Sequence, residues 1–361
     1  MITYHFIILV KNICVNIRML QIEHIYRFLY KHLYKDFWYG HLPEGVPSLK
    51  EISWESINTF TPGENFKGVL FCYDQEPLVE SIVNNYLDFI RTSGFEPILI
   101  NSEKSKVANS LTKRQLYYFF HGFAALDWFR GFHALNYTKN PIKNYRYDYQ
   151  SFNRIVTGDR AYRKTFVDQL RANDLLEYGA VSYGVTNDPV AEQRLVIDYE
   201  QLSGSASADI PDVDAFWHIV TETVFYYDKL HLTEKIFKPI VSKQPFMLLA
   251  APGNLEYLRS YGFKTFEGII DESYDLIEDN DARINAVVEQ IKWYCSLSDA
   301  DKFEIQRLIA PIVEYNFHHF YGKFKEIITD ELLDNTKKLF KDIDYDDSGV
   351  DYTTVRKLLT S

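Results

Sequence analysis

The sequence predicts an α/β protein built on parallel sheets, and three features carry that expectation. Short apolar runs recur along the chain, at 67–73, 96–100, 215–221 and 244–250. Segments with helical spacing of apolar residues lie between them, at 78–92, 160–170 and 234–242, and another follows at 282–297. Continuous apolar strands that alternate with helices are the pattern of a sheet covered on both faces. A length of 361 residues suits about two domains, at roughly 100–200 residues each.

The elements follow in order. Lys67–Tyr73 reads as a buried strand, and Asp74-Gln75-Glu76-Pro77 as the loop at its carboxyl end. Leu78–Thr92 is helical by its spacing, with Gly94 as the stop. Glu96–Ile100 is the next strand, and Leu116–Phe120 is an apolar aromatic run ending in His121-Gly122. Further on, Phe152–Val156 leads into a helix at Arg160–Leu170. The small, polar stretch Leu202–Ala208 reads as a loop, because α/β patterning resumes at the Ala215–Thr221 strand. Thr233 is the expected N-cap of a helix over Glu234–Ser242, and Gln244–Ala250 is a strand. Asn254 and Gly262 bracket a short helix as N-cap and C′, and Ala282–Leu297 is a long amphipathic helix. The expected organisation is a domain over 1–150, a second over 151–330 and a helical extension over 331–361.

Composition narrows the classes. Hydrophobic residues are 46% and charged residues 25%, which excludes a disordered chain. Cys14, Cys72 and Cys295 are dispersed and odd in number, which excludes a disulfide-stapled scaffold and fits a cytoplasmic protein with reduced thiols. The apolar run Phe6–Val10 is far short of the ~20 residues a membrane span needs. Basic residues follow that run rather than precede it, so a signal peptide is not expected, and Met19 is an alternative start. Net charge is −11, but unevenly spread: residues 1–170 hold 20 basic and 16 acidic side chains, and the remainder 19 and 34. The acidic total disfavours nonspecific duplex binding, which depends on neutralising phosphates.

The strongest chemical signal is Leu232-Thr233-Glu234-Lys235-Ile236-Phe237-Lys238-Pro239. A capped helix start offers free N–H groups and a positive dipole end to an anion. Lys235 in the first turn is out of place on dipole grounds unless an anion sits before it. Glu234 can accept hydrogen bonds from a ribose or sugar hydroxyl. The same residues also suit an ordinary capped surface helix.

Thr233-Glu234-Lys235, the apolar helix after it and Gln244-Pro245-Phe246-Met247-Leu248-Leu249 resemble the donor segment of family-10 fucosyltransferases and related microbial and viral glycosyltransferases. The stretch from Pro252 through Asp275 is similar to the same group, and the resemblance covers roughly residues 150–290. It implies a GT-B fold, with two Rossmann-like domains facing a cleft and a nucleotide-diphosphate sugar, GDP- or UDP-linked, held mainly by the second. It also implies a cluster of donor-binding residues: Arg163, Arg160, Glu222, Thr233, Glu234, Lys235 and Lys238. Arg163, seven residues before Leu170, takes the place of an arginine that pairs with the diphosphate. Arg154 and Lys164 add to that basic stretch, which also suits a basic helix face.

Glycosyl transfer must stabilise a departing nucleoside diphosphate and activate an acceptor hydroxyl. The resemblance implies cationic side chains and a helix dipole for the first, with no obligatory metal, and an inverting glutamate base for the second. Glu76 and Asp74 both qualify as that base, Glu76 being favoured; a loop carboxylate that caps the following helix is the alternative. His121, Asp127, Trp128 and Arg130 lie in an aromatic-rich segment that reads as an acceptor-side loop, or else as a strand end followed by a core helix. The expected acceptor is a glycan or, less favoured by charge, a hydroxymethylated base in viral DNA. A non-catalytic carbohydrate- or nucleotide-binding protein on the same scaffold is the alternative.

Other signals are discounted. The Asp212/Asp214, Asp342/Asp344 and Asp344/Asp346 pairs lack the strand context of a metal-binding pair. Asp344–Asp351 resembles the first half of a calcium loop, but Val355 stands where a bidentate Glu belongs. His318-His319 reads as packing at a helix end.

Overall fold

The computed structural model describes residues 20–33, 38–40, 68–136, 140–153, 155–183 and 213–361. Cys14, Arg154, Asp212 and the 202–208 stretch therefore lie outside the described residues, as does the Phe6–Val10 run. The chain is α/β and divides into two compact units, 1–128 with 325–361 and 129–324. The division falls at 128/129 rather than near 150, and the expected C-terminal extension folds with unit 1.

In unit 1 the strands are β1 (Trp38–Gly40), β2 (Val69–Tyr73), β3 (Pro97–Asn101) and β4 (Gln115–Tyr117). They form a parallel sheet in the order β1-β2-β3-β4. Val69–Cys72 and all of β3 are buried, which is why these strands read as unbroken apolar runs. The helices are α1 (Leu20–Leu33), α2 (Glu80–Thr92), α3 (Lys106–Leu111) and α4 (Phe120–Trp128). Helix α2 buries Val83, Leu87 and Ile90, the stripe its spacing requires. Gly94 follows it at φ 86°, a left-handed position at which a side chain is strained. Helix α4 is buried almost all round, and α1 lays Ile22, Ile25, Tyr26 and Leu29 into the core.

In unit 2 the elements are α5 (Phe132–Asn136), β5 (Tyr147–Asn153), α6 (Tyr162–Ala172), β6 (Gly179–Tyr183) and β7 (Ala215–Thr221). Helix α7 (Glu234–Val241), β8 (Phe246–Leu249), α8 (Asn254–Ser260), α9 (Asn280–Cys295) and α10 (Asp299–His319) follow, and a π-helical turn over Phe320–Phe324 closes the unit. The sheet is again parallel, in the order β8-β7-β5-β6. Every residue of β7 is buried, so helices must cover both faces. The aromatic excess of the composition goes largely into packing here. Trp217 meets Phe266 edge-on at 5.3 Å, and Phe237 packs among Phe263, Phe320 and Phe324.

The last helices, α11 (Lys325–Asp342) and α12 (Tyr352–Thr360), complete unit 1. Helix α11 protects the edge of the first sheet: Asn335 donates to the Tyr117 carbonyl at 3.0 Å, and Glu331 pairs with Lys104 at 2.6 Å. The acidic stretch between the two helices is a turn in which Asp346 accepts from the Ser348 N–H and Asp351 caps α12. Among the described residues, no helix is long and apolar enough to cross a membrane.

Candidate functional site

The order β8-β7-β5-β6 contains a topological switch. From β5 the chain first runs to β6 on one side and then to β7 on the other. In open parallel sheets, ligands bind beyond the carboxyl ends of the two strands flanking such a reversal. Here those ends are Asn153 of β5 and Thr221-Glu222 of β7. A buried polar seam joins them: Thr221 Oγ1 lies 3.1 Å from Asn153 Oδ1, and Asn153 Nδ2 donates to Ser151 Oγ at 3.1 Å.

Glu222, fully buried, is the hub of this edge. Its carboxylate accepts from Thr223 N at 3.1 Å, Thr233 N at 3.2 Å and Thr233 Oγ1 at 2.6 Å. Burial raises the Glu222 carboxyl above the ordinary range, opposed by the Lys235 charge and the Thr233 hydrogen bonds. Thr233 in turn caps α7, its hydroxyl accepting from Lys235 N at 3.4 Å. The Lys235 ammonium lies 3.2 Å from Thr223 Oγ1, 3.1 Å from Thr233 Oγ1 and 3.0 Å from Glu234 Oε1. Its side chain keeps 30% of its surface in solvent. Four predicted residues, Glu222, Thr233, Glu234 and Lys235, are thus brought together at the switch point.

The basic residues divide. Arg163 is buried, which the basic-face reading did not anticipate. Its Nη1 donates to Ile155 O at 3.1 Å, and its Nη2 donates to Thr221 O at 2.8 Å and Glu222 O at 3.1 Å. The diphosphate role expected of it is corrected accordingly: its fork is committed to backbone carbonyls that fix the end of β7. Tyr162 assists, donating to Glu222 O at 2.5 Å and stacking on Phe225 at 4.0 Å. Arg160 is half-buried at the end of a 3-10 turn over Gly158–Arg160. Lys238 is half-buried in the last turn of α7, where a cation suits the dipole. It stands near enough to His218 to help burial pull that imidazole down to about 3. Sequence reasoning missed Tyr226 and Tyr227, exposed on the loop after Glu222, with Tyr227 donating to Asp159 at 3.2 Å. Their position directly after Val224-Phe225, beyond the Ala215–Thr221 run, was the available signal.

Unit 1 separates the carboxylates more sharply. Asp74 is 1% exposed and accepts from the hydroxyls of Tyr26, at 2.7 Å, and Tyr118. Burial raises its carboxyl, against the lowering effect of those donors. Asp74 is therefore a core group, and Glu76 is the exposed carboxylate of the pair. His121 is also buried, its Nε2 lying 3.1 Å from Gln75 O and bracing the 74–77 loop. Asp127 accepts from the N–H groups of Gln21 at 2.9 Å and Ile22 at 3.4 Å, so it serves the start of α1. Trp128 is half-buried and Arg130 exposed. The acceptor-side loop expected here is instead the core helix α4, because seven of its nine residues are buried.

Elsewhere the polar groups serve the fold. Asn254 is not an N-cap: Gly253 holds that place at φ 81°, and Asn254 pins the Lys229–His231 segment. Asp275 accepts from Leu255 N at 3.0 Å at the start of α8. His319 meets Tyr261 O at 2.8 Å, the expected packing role. Among the described residues, no group of three or more His, Cys, Asp or Glu side chains is arranged to hold a metal.

No family model matches the chain, and neither a curated protein nor a solved structure does. The fold and the switch-point cluster define an α/β protein with a polar site at the end of β7.

Proposed function

We propose that the protein is a glycosyltransferase that uses a nucleotide-diphosphate sugar, with the donor at the switch point of unit 2. One observation carries the reading. A partly exposed ammonium, Lys235, stands at the start of a capped helix, held by three oxygen atoms over the buried Glu222. A cation opposes the dipole there, and an anionic ligand removes the conflict. The resemblance of Thr233-Glu234-Lys235 to the fucosyltransferase donor segment supports the same reading.

In this mechanism Lys235 and the first N–H groups of α7 take up charge as the sugar–phosphate bond breaks. Glu234 accepts from a sugar or ribose hydroxyl, and the exposed faces of Tyr226 and Tyr227 offer stacking to the base. Glu76 removes the proton of the acceptor hydroxyl as its oxygen bonds the anomeric carbon with inversion. No metal is assigned a role. The acceptor is a glycan, or less favourably a hydroxymethylated DNA base, and the setting is cytoplasmic. The burial of Asp74 favours keeping the non-catalytic binding protein as a second reading, since it leaves Glu76 alone among the two proposed bases in contact with solvent.

Thermal denaturation with GDP, UDP, CDP and ADP tests the donor site. A ligand at one hundred times its Kd adds about 2.7 kcal/mol to stability. At least one diphosphate is expected to raise Tm, and Lys235→Ala is expected to abolish the rise with little change in the free protein. No response to any of the four refutes the donor site. Retained binding with donor hydrolysis unaffected by Glu76→Gln refutes the assigned base.

A further inference from the structure

Unit 2 carries a groove at the opposite end of β5 from the switch point. Its volume is about 400 Å³, within the ~300–1,000 Å³ range of small-molecule sites. Asp148 at the start of β5 lines it, with Arg146, Glu177, Tyr178, Asp299 and Lys302. Asp148 is five residues from Asn153, so about 17 Å of strand separates this groove from the donor edge.

Three features define what it can hold. First, its central ion pair is built in: Lys302 Nζ lies 2.8 and 2.7 Å from the two Asp148 oxygens, with both side chains more than four-fifths buried. A fixed pair of this kind presents donors and acceptors without further loss of rotamer freedom. Second, Tyr178 keeps 40% of its surface exposed at the rim, its hydroxyl hydrogen-bonded to Glu177 and part of its ring open to solvent. Third, three carboxylates, Asp148, Glu177 and Asp299, outnumber the two cations, Arg146 and Lys302. That balance repels phosphates and other anions.

We propose that this groove is a binding site for a neutral oligosaccharide, separate from the donor site. Sugar hydroxyls are donors and acceptors at once and match a carboxylate–ammonium pair with a guanidinium lining the same groove. The C–H face of a sugar ring matches an exposed tyrosine. The site's existence does not depend on the glycosyltransferase reading. If that reading also holds, a groove remote from the chemistry retains a glycan chain between transfers.

The test is titration of the full chain with neutral hexaoses of glucose, mannose, galactose and N-acetylglucosamine, followed by saturation-transfer NMR and calorimetry. At least one hexaose is expected to bind. Tyr178→Ala and Glu177→Gln, both at exposed positions, are expected to weaken it about tenfold or more. Lys235→Ala should leave the affinity unchanged. Failure of all four hexaoses to bind overturns the proposal. So does binding that survives both groove variants, or that is lost in Lys235→Ala, which would put the sugar at the donor edge. A Tyr178-dependent affinity for a nucleoside monophosphate with no hexaose binding would also overturn it. Thermal melts of the variants separate loss of binding from loss of fold.

Discussion

Replacing Arg163 with alanine distinguishes its two possible duties. In the structure its guanidinium is buried and makes three hydrogen bonds, to the carbonyls of Ile155, Thr221 and Glu222. Hydrogen bonds to a charged group contribute about 1.5–3 kcal/mol each, and such terms do not add in full. Glu222 O also keeps its bond from Tyr162, which limits the loss. A cost of about 3–5 kcal/mol follows, including the space left behind. For a unit of the size of residues 129–324 each kcal/mol lowers Tm by about 2–4 °C, so the transition of that unit in the ligand-free variant should fall roughly 6–20 °C below wild type. Arg163→Lys keeps the charge but cannot reach three carbonyls with one nitrogen, and should lose about 1–3 kcal/mol. The assay is calorimetry or urea denaturation without ligand, repeated with the best-binding nucleoside diphosphate. An Arg163→Ala protein that melts like wild type yet loses its nucleotide response would refute the argument and restore the direct diphosphate contact.

Two further predictions follow from buried polar groups. Asp127→Ala removes the acceptor for the first N–H groups of α1 and should cost about 0.5–2 kcal/mol in urea denaturation, with no change in nucleotide binding. His218 is held neutral, its pKa pulled from 6.5 down to about 3 by burial and the Lys238 charge. The unfolded chain takes up that proton first, so the stability involved is complete above pH ~6.5 and is lost as pH falls toward about 3. His218→Gln should flatten the stability–pH curve below pH ~6.5 relative to wild type, by up to about 1.4 kcal/mol per unit. Parallel curves for the two proteins would contradict the assignment.

Much of the secondary structure was legible in the sequence. The strand over 215–221 and the Thr233 cap were read correctly, because cap chemistry and apolar runs act over a few residues. The strand β6 was missed, since Gly179-Ala180-Val181-Ser182-Tyr183 is short and lacks large apolar residues; its burial comes from its neighbours in the sheet. At the candidate site, the Thr233-Glu234-Lys235 triplet was legible as a helix start. That Glu222, eleven residues earlier, would receive the Thr233 hydroxyl required the two segments to meet at the end of β7.

The direction in which polar side chains face was the part that local pattern does not encode. Asp74 and Glu76 are two residues apart with similar chemistry. Only the arrival of Tyr26 and Tyr118, 48 and 44 residues away, turns Asp74 into a core group. Asp127 likewise looks like a surface acid until α1 brings its N–H groups from 106 residues away. The sequence by itself determined the α/β class, most elements and the helix start at Thr233, because these rest on periodicity and capping within a single segment. The tertiary structure alone decided which charges are buried, that residues 325–361 return to unit 1, and that β5 and β7 flank a switch point. Those outcomes depend on partners distant in sequence, and burial sets the energetic value of each polar group only once those partners have met.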